Sequence, residues 1–187
     1  MANVDAPSGF SPFRHRGGGI IRPSKYLIAS AYNTDIFTGD AVILTSGYVN
    51  IAAQDSSVIL GIFAGCEFLD ASGVPGARFS PYWPASTVTT GSADVICWVY
   101  DDPMISYRTQ TDTGTAYEQA THMGGKYDLE ADHSGSTLTG QSGQEIDLGD
   151  TGTGQFLVLG LIDEPGNAVG VNAKIEVLIV ESLLKAN

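Results

Sequence analysis

Three histidines and two cysteines are the side chains of this chain with the most reactive chemistry. His15, His122 and His133 stand far apart, and none belongs to a His-Glu-x-x-His motif or another i, i+4 pairing that binds zinc. Cys66 and Cys97 lie inside separate apolar runs, which indicates buried thiols, although an oxidising compartment would allow a disulfide. Neither cysteine has a second Cys or His at zinc-ligand spacing. Because no nucleophile, base and orienting group stand out, we expect no enzyme and no catalytic residue.

Acidic clusters and one glycine-rich segment could in principle bind ions. Residues 149–154, GDTGTG, have the glycines of a phosphate loop but lack its lysine and the helix that should follow, so we interpret them as a turn. Alternating carboxylates are the oxygen ligands that Ca²⁺ prefers, but the twelve-residue calcium loop with its final Glu is missing. We therefore predict no metal and no cofactor. The carboxylates in question are Asp128, Glu130, Asp132, Asp147 and Asp150.

Charge is distributed unevenly along the chain. The first 25 residues hold four of the nine basic side chains and one acid, whereas the other 162 hold five basic and twenty acidic side chains. This pattern predicts an extended N-terminal arm of net charge +3, residues 1–25, and a β-barrel body of net charge −15, residues 26–187. Since the arm also carries apolar side chains, we interpret it as a segment that grips another protein. Its candidate contact residues are Phe10, Phe13, Arg14, His15, Arg16, Ile20, Ile21, Arg22 and Lys25.

The free-energy cost of ordering the arm indicates how it would bind. Fixing a backbone costs about 1–2 kcal/mol per residue, so the whole arm costs on the order of tens of kcal/mol. Exposed ion pairs return only about 0–1 kcal/mol each. Burying an apolar side chain adds about 1.5–3 kcal/mol. We therefore expect the arm to pair as a strand with a partner's sheet and to be ordered only against that partner.

Short apolar runs with strand character recur through the body, separated by Gly, Pro, Asn and Asp. One short helix is predicted over residues 113–121, and the absence of crossover helices excludes a parallel sheet. The prediction is an all-β fold, an antiparallel β-barrel, β-tulip or sandwich of about ten strands with at most one short helix. The predicted strands span residues 26–32, 41–45, 48–53, 58–69, 94–100, 105–111, 126–129, 146–148, 155–163 and 174–184.

The same composition limits the partners and the compartment. A net charge of −12 argues against nucleic acid, because a DNA-binding protein needs a basic face. The N-terminus lacks the apolar core of a secretory signal, and no apolar run reaches the ~20 residues of a membrane span. We expect a protein that is made in a cytoplasm and binds neither nucleic acid nor membrane.

A loop over residues 70–90 carries three aromatic side chains among Pro, Gly, Ser and Thr. Phe79, Tyr82 and Trp83 are predicted to be exposed there, where they would contact a neighbouring protomer or cap the core of their own domain. As a stacking platform, they would instead support a carbohydrate-binding β-domain.

Four segments resemble one family of proteins. They are the opening NVDAPSGFSPFRHRGGG, the turn Tyr100-Asp101-Asp102-Pro103, TGQSGQEIDL at 139–148 and FLVLGLIDEPGNAVGVNAKIEVLIVES at 156–182. The chain resembles, from end to end, the head decoration or capsid cement proteins of tailed double-stranded DNA bacteriophages. The resemblance implies a non-enzymatic virion protein, made in the host bacterial cytoplasm, on the outer surface of the capsid.

The resemblance also implies partners. Proteins of this family bind the major capsid protein lattice, often as homotrimers at three-fold and quasi-three-fold positions, and stabilise the mature head. The alternatives are another virion structural protein, such as a head fibre base, a tail component or a minor capsid component, and the carbohydrate-binding domain.

Overall fold

A computed structural model describes residues 3–54, 56, 58–71, 77–130, 134–150 and 154–185. It confirms the all-β prediction, with fourteen strands, one single-turn α-helix and one 3₁₀ turn in this part of the chain. The additional strands are mostly pairs or triplets of residues in segments that the sequence indicates as arm or loop. No helix in the described residues is long and apolar enough to cross a membrane.

Six strands form the first sheet, which we call the flat sheet. All neighbours in it are antiparallel. In spatial order they are β1 (Ser11–His15), β10 (Ile105–Gln110), β14 (Lys174–Ile179), β13 (Phe156–Leu161), β11 (Lys126–Leu129) and β12 (Ile146–Asp147).

Six further strands form the second sheet, the curled sheet, whose last main strand returns beside its first. In order they are β2 (Ser24–Ile28), β9 (Val95–Tyr100), β6 (Gly61–Phe68), β4 (Ala41–Thr45) and β5 (Tyr48–Ile51), with β7 (Arg78–Ser80) also paired to β6. A small third sheet joins β3 (Ile36–Phe37) to β8 (Tyr82–Trp83).

The curled sheet carries apolar side chains on both faces, so the molecule has two cores. Alternation along β4 and β6 sends Ala41 and Ile62 toward the flat sheet, and sends Val42 and Phe63 into the concave interior of the curled sheet. The core between the sheets therefore contains side chains from both the flat sheet and the curled sheet. The second core is enclosed by the curled sheet, β3 and β8.

Local sequence signals explain the main turns and bends. Ser46 and Gly47 both have positive φ, 52° and 86°, as a two-residue hairpin turn between β4 and β5 requires. A bulge in β6 lies between Phe63 and Gly65, where the pairing with β9 shifts. At Gly61 the requirement for glycine is steric, because a Cβ there would lie 2.2 Å from the backbone oxygen of Tyr100.

The helix is shorter than predicted and begins later. Residues Gln119–His122 form a single turn, α1, with Glu118 at its N-cap position. The preceding segment is extended, because Tyr117 exchanges backbone hydrogen bonds with Gly170. Strand-like pairing therefore replaces the first half of the predicted helix.

Candidate functional site

The N-terminal segment is part of the fold of its own chain. Strand β1 pairs with β10 at the edge of the flat sheet, and β2 pairs with β9 at the edge of the curled sheet. Phe10 is buried between the sheets, and Ile21 packs against the same core. The expectation that the arm is ordered only against a partner is therefore wrong. The backbone hydrogen bonds that we expected from a partner's sheet come from the chain's own β10 and β9.

Arg14 is committed to a contact within the chain. Its Nε and one terminal nitrogen donate to the two carboxylate oxygens of Glu176 on β14, both at 2.6 Å. Glu176 is only 7% exposed, so a bidentate guanidinium is the partner that such a buried carboxylate needs. Arg14 therefore serves the fold first, although its side chain remains partly open to solvent.

His15 holds the loop between β1 and β2 in place. Its Nε2 lies 3.0 Å from Asp102 Oδ2, and its Nδ1 accepts hydrogen bonds from the backbone N–H groups of Gly17 and Gly19 at 3.1 and 2.8 Å. A Cβ at Gly19 would stand 2.8 Å from the imidazole, so the ring packs directly on the loop backbone. His15 is thus a positioning residue, and the loop has a defined shape.

That loop presents basic and apolar side chains to solvent. Arg16, Ile20 and Arg22 are all exposed, and we call them the basic loop. Among the described residues neither arginine forms an ion pair, whereas three other basic side chains pair with Asp70 or Glu164. Because the rest of the chain is strongly acidic, the two neighbouring charges of the basic loop offer a positive surface to a partner.

Phe13 and Lys25, two further exposed residues of the N-terminal segment, lie elsewhere. Phe13 is on β1, beneath the Arg14 guanidinium at 5.9 Å from its ring centroid. Lys25 is on β2, directly opposite Trp98 of β9 in the curled sheet. The sequence groups these residues by proximity along the chain, but the two sheets separate them.

The three aromatic residues predicted to be exposed have different environments. Trp83 is fully buried in the second core, where it packs edge-on against Phe68 and donates its indole N–H to the backbone oxygen of Tyr32 at 3.1 Å. It is therefore unavailable to a neighbouring protomer or to a stacked sugar. Tyr82 stacks on Phe37 and is half-buried, and Phe79 remains exposed.

The sequence did not single out Trp98, the aromatic residue that Phe79 contacts. Trp98 is half-buried on the convex face of the curled sheet, with its ring centroid 5.9 Å from that of Phe79. In strand β9 Cys97 points inward, so its neighbours Ile96 and Trp98 point outward, but the uniformly apolar sequence VICWVY does not tell which face is open.

The cysteines face one another across neighbouring strands. Cys66 and Cys97 are directly opposed in β6 and β9, both are free thiols, and both are fully buried. Burial raises the pKa of each thiol to about 12. The prediction of buried thiols is confirmed, and such thiols are poor nucleophiles and poor metal ligands at neutral pH.

His122 has a structural environment, and His133 lies outside the described residues. The His122 ring is buried beside Tyr117 and Tyr127, and its Nδ1 accepts the backbone N–H of Glu118 at 2.8 Å. That contact holds the single turn of α1, and the imidazole has little exposure to solvent.

Three carboxylates meet at one end of the flat sheet. Oxygens of Asp112, Glu130 and Asp147 lie within 4.8 Å of one another. Two of these groups accept backbone hydrogen bonds from turns, since Gly114 donates to Asp112 at 2.6 Å and Gly149 donates to Asp147 at 2.7 Å. We assign these carboxylates to the support of their turns. Asp132, which the sequence groups with Glu130, lies outside the described residues.

Burial and the negative charges of Asp5, Asp112 and Glu130 raise the pKa of the neighbouring Glu145 carboxyl to about 7. The acidic cluster thus affects the protonation of a side chain beside it.

Comparisons of the chain with protein-family models, with curated proteins and with solved structures gave no match.

Proposed function

We propose that this chain is a non-enzymatic decoration protein of a tailed double-stranded DNA bacteriophage. It binds the outer surface of the major capsid protein lattice, where it stabilises the mature head as a homotrimer at three-fold and quasi-three-fold positions. The proposal combines the resemblance of the four sequence segments with the exposed basic loop.

The observation that carries the proposal is the position of the basic loop. Arg16 and Arg22 form no ion pair within the described part of the chain, and with the apolar Ile20 they lie on the surface of a chain of net charge −12. Such a surface fits an acidic, partly apolar patch on a protein partner, whereas the acidic remainder of the chain disfavours binding of nucleic acid.

The anchoring of the loop lowers the cost of binding. The contacts of His15, the pairing of β1 with β10 and the pairing of β2 with β9 already fix the backbone on either side of the loop. Binding of a partner therefore costs less conformational entropy than binding by a free arm would. Many copies on one shell, each contacting more than one capsid subunit, would then add avidity.

The test is binding to expanded shells of the cognate major capsid protein. Arg16→Glu and Arg22→Glu should each weaken binding by about tenfold or more, and higher salt should weaken binding of the native protein. Lys126→Glu is the matched control, because it makes the same charge change at an exposed position of the flat sheet. Equal binding by all three variants would reject the role of the loop.

The location of the protein in the virion tests the broader assignment. Density on the outer head surface supports the decoration role, whereas density in the tail or at a fibre would assign the chain to those structures. A sugar platform that includes Trp83 is inconsistent with the burial of that side chain.

A further inference from the structure

The convex face of the curled sheet carries a row of side chains across four strands. Strand register places Leu27 of β2 opposite Ile96 of β9, Ile96 opposite Glu67 of β6, and Glu67 opposite Phe79 of β7. A second row, one pleat away, joins Lys25, Trp98 and Gly65. We call these seven residues the outer face.

The aromatic side chains of the outer face are held in place by a glycine. A Cβ at Gly65 would lie 2.6 Å from Cζ of Phe79, so the Phe79 ring occupies the space above that glycine and reaches Trp98. Phe79 nevertheless stays 64% exposed, and Leu27 at the far end of the row is 38% exposed. A preordered aromatic pair with exposed apolar neighbours is typical of the centre of a protein interface.

The convex surface is covered over only part of its area. At one end Ile62 and Tyr100 pack against the core that the flat sheet closes. Further along the same strands, Trp98 and Ile96 belong to neither core and are only half-buried. The outer face is thus the uncovered continuation of a surface that already packs against another sheet.

The outer face also carries one charge of each sign. Lys25 and Glu67 lie in different rows on strands separated by β9, and neither forms an ion pair among the described residues. The face is therefore neutral although the chain has a net charge of −12. A second copy of the same face supplies the complement, because its Glu67 can meet Lys25 and its Lys25 can meet Glu67.

We propose that the outer face is a self-association surface, on which a second copy of this chain packs with Phe79 and Trp98 at the centre and Lys25–Glu67 pairs at the rim. This rests on the proposed function and goes beyond it, because a face that meets its own copy forms a two-fold contact, which is additional to the three-fold contacts within the proposed homotrimer. The geometry favours a protein partner over a flat sugar, because the Phe79 and Trp98 rings are tilted by 45° and share no stacking plane.

The experiment is sedimentation equilibrium of the full chain over a range of protein concentrations and salt concentrations. The native protein should reach twice the 19.6 kDa chain mass, or an even multiple of it, because the contact joins copies in pairs. Association should strengthen with salt, because screening reduces the repulsion between two strongly acidic copies. Phe79→Ser should raise the dissociation constant by about tenfold or more, whereas Val169→Ser, at an exposed apolar position in the β13–β14 connection, should not.

Charge-reversal variants distinguish a specific contact through this surface from nonspecific association. Lys25→Glu and Glu67→Lys should each weaken association, and the double variant should restore it. A chain that stays monomeric at every concentration would overturn the proposal, as would equal association of the native and Phe79→Ser proteins. Binding of a glycan array by a monomer, lost in Phe79→Ser, would overturn it in favour of a sugar site.

These outcomes are distinguishable from a failure of the proposed function. Shell binding tests Arg16 and Arg22, and self-association in solution tests Phe79 and Glu67. A monomer that binds shells rejects only the self-association surface, whereas an oligomer that ignores shells rejects only the decoration role.

Discussion

Phe10 stacks on Phe156 with ring centroids 4.6 Å apart and 12° between the ring planes. The contact joins the N-terminal segment to the central strands of the flat sheet, across almost the whole length of the chain. The backbone N–H of Phe10 also donates to the carbonyl oxygen of Gly39 at 2.8 Å, which ties the same residue to the loop before β4. The N-terminal segment is therefore one of the elements that holds the two sheets together.

Removal of the Phe10 side chain should destabilise the whole fold. Phe10→Ala leaves a cavity between the sheets and should lower the free energy of unfolding by about 3–5 kcal/mol, measured by urea denaturation. Phe13→Ala, three residues away and 45% exposed, is the control and should cost less than about 1 kcal/mol. Similar costs for the two variants would show that Phe10 does not pack in the core.

Buried carboxyl groups should make the protein more stable in mild acid than at neutral pH. Burial raises the pKa of Asp40 from 3.8 to about 6, against hydrogen bonds from Ser142 and the Phe37 backbone that lower it. The native state therefore binds this proton more tightly than the unfolded chain does. The resulting destabilisation is absent below about pH 4, grows as pH rises, and is complete above about pH 6.

The pH effect can be measured by denaturation between pH 4 and 8. For Asp40 it amounts to at most about 3 kcal/mol, and the raised pKa of Glu145 extends the window toward pH 7. Glu164 acts in the opposite direction, because the hydrogen bond from Lys174 lowers its pKa, and its contribution is lost only in stronger acid. Asp40→Asn should remove most of the decrease in the free energy of unfolding between pH 4 and 6. The same decrease in the variant and in the native protein would contradict the assignment to Asp40.

The two cysteine thiols should resist modification while the protein is folded. Cys66 and Cys97 are buried with pKa values raised to about 12, so the thiolate that reacts with alkylating reagents is scarce at pH 8. We expect no labelling of the native protein and two labels per chain in denaturant, counted by mass spectrometry. Fast labelling of either cysteine under native conditions would show that the curled sheet opens.

Gly61 should tolerate no side chain. Gly61→Ala places a methyl group against the backbone of Tyr100, which cannot move without breaking the pairing of β6 with β9. We expect a loss of several kcal/mol or insoluble protein, because overpacking against backbone strains the sheet. Ala64→Gly, at the neighbouring bulge, is the control for altered backbone entropy and should cost only about 1 kcal/mol.

Local pattern was sufficient for most of the strands. The predicted strands 41–45 and 48–53 contain β4 and β5, and the predicted strands 155–163 and 174–184 contain β13 and β14. The buried thiols were predictable for the same reason, since each cysteine lies within a run that two packed faces must cover. These features depend on neighbours a few residues apart, which the sequence displays directly.

The placement of Phe10, Trp83 and Trp98 depended on contacts between distant segments. An aromatic residue in a Gly/Pro-rich stretch looks exposed until another part of the chain covers it, as the flat sheet covers Phe10 and the second core encloses Trp83. Conversely, Trp98 lies in a strand whose two faces are equally apolar in sequence, and only the packing of the folded chain leaves its face partly open.

The sequence by itself determined the all-β class, most strand positions and the concentration of basic charge near the N-terminus, because composition and period-two alternation are local properties. Tertiary structure decided which of those charges remain available. Glu176 and Asp102 lie far along the chain from Arg14 and His15, yet sheet pairing brings them into contact and leaves Arg16 and Arg22 exposed. Charge is a property of composition, but its neutralisation requires proximity in space, which only the folded chain provides.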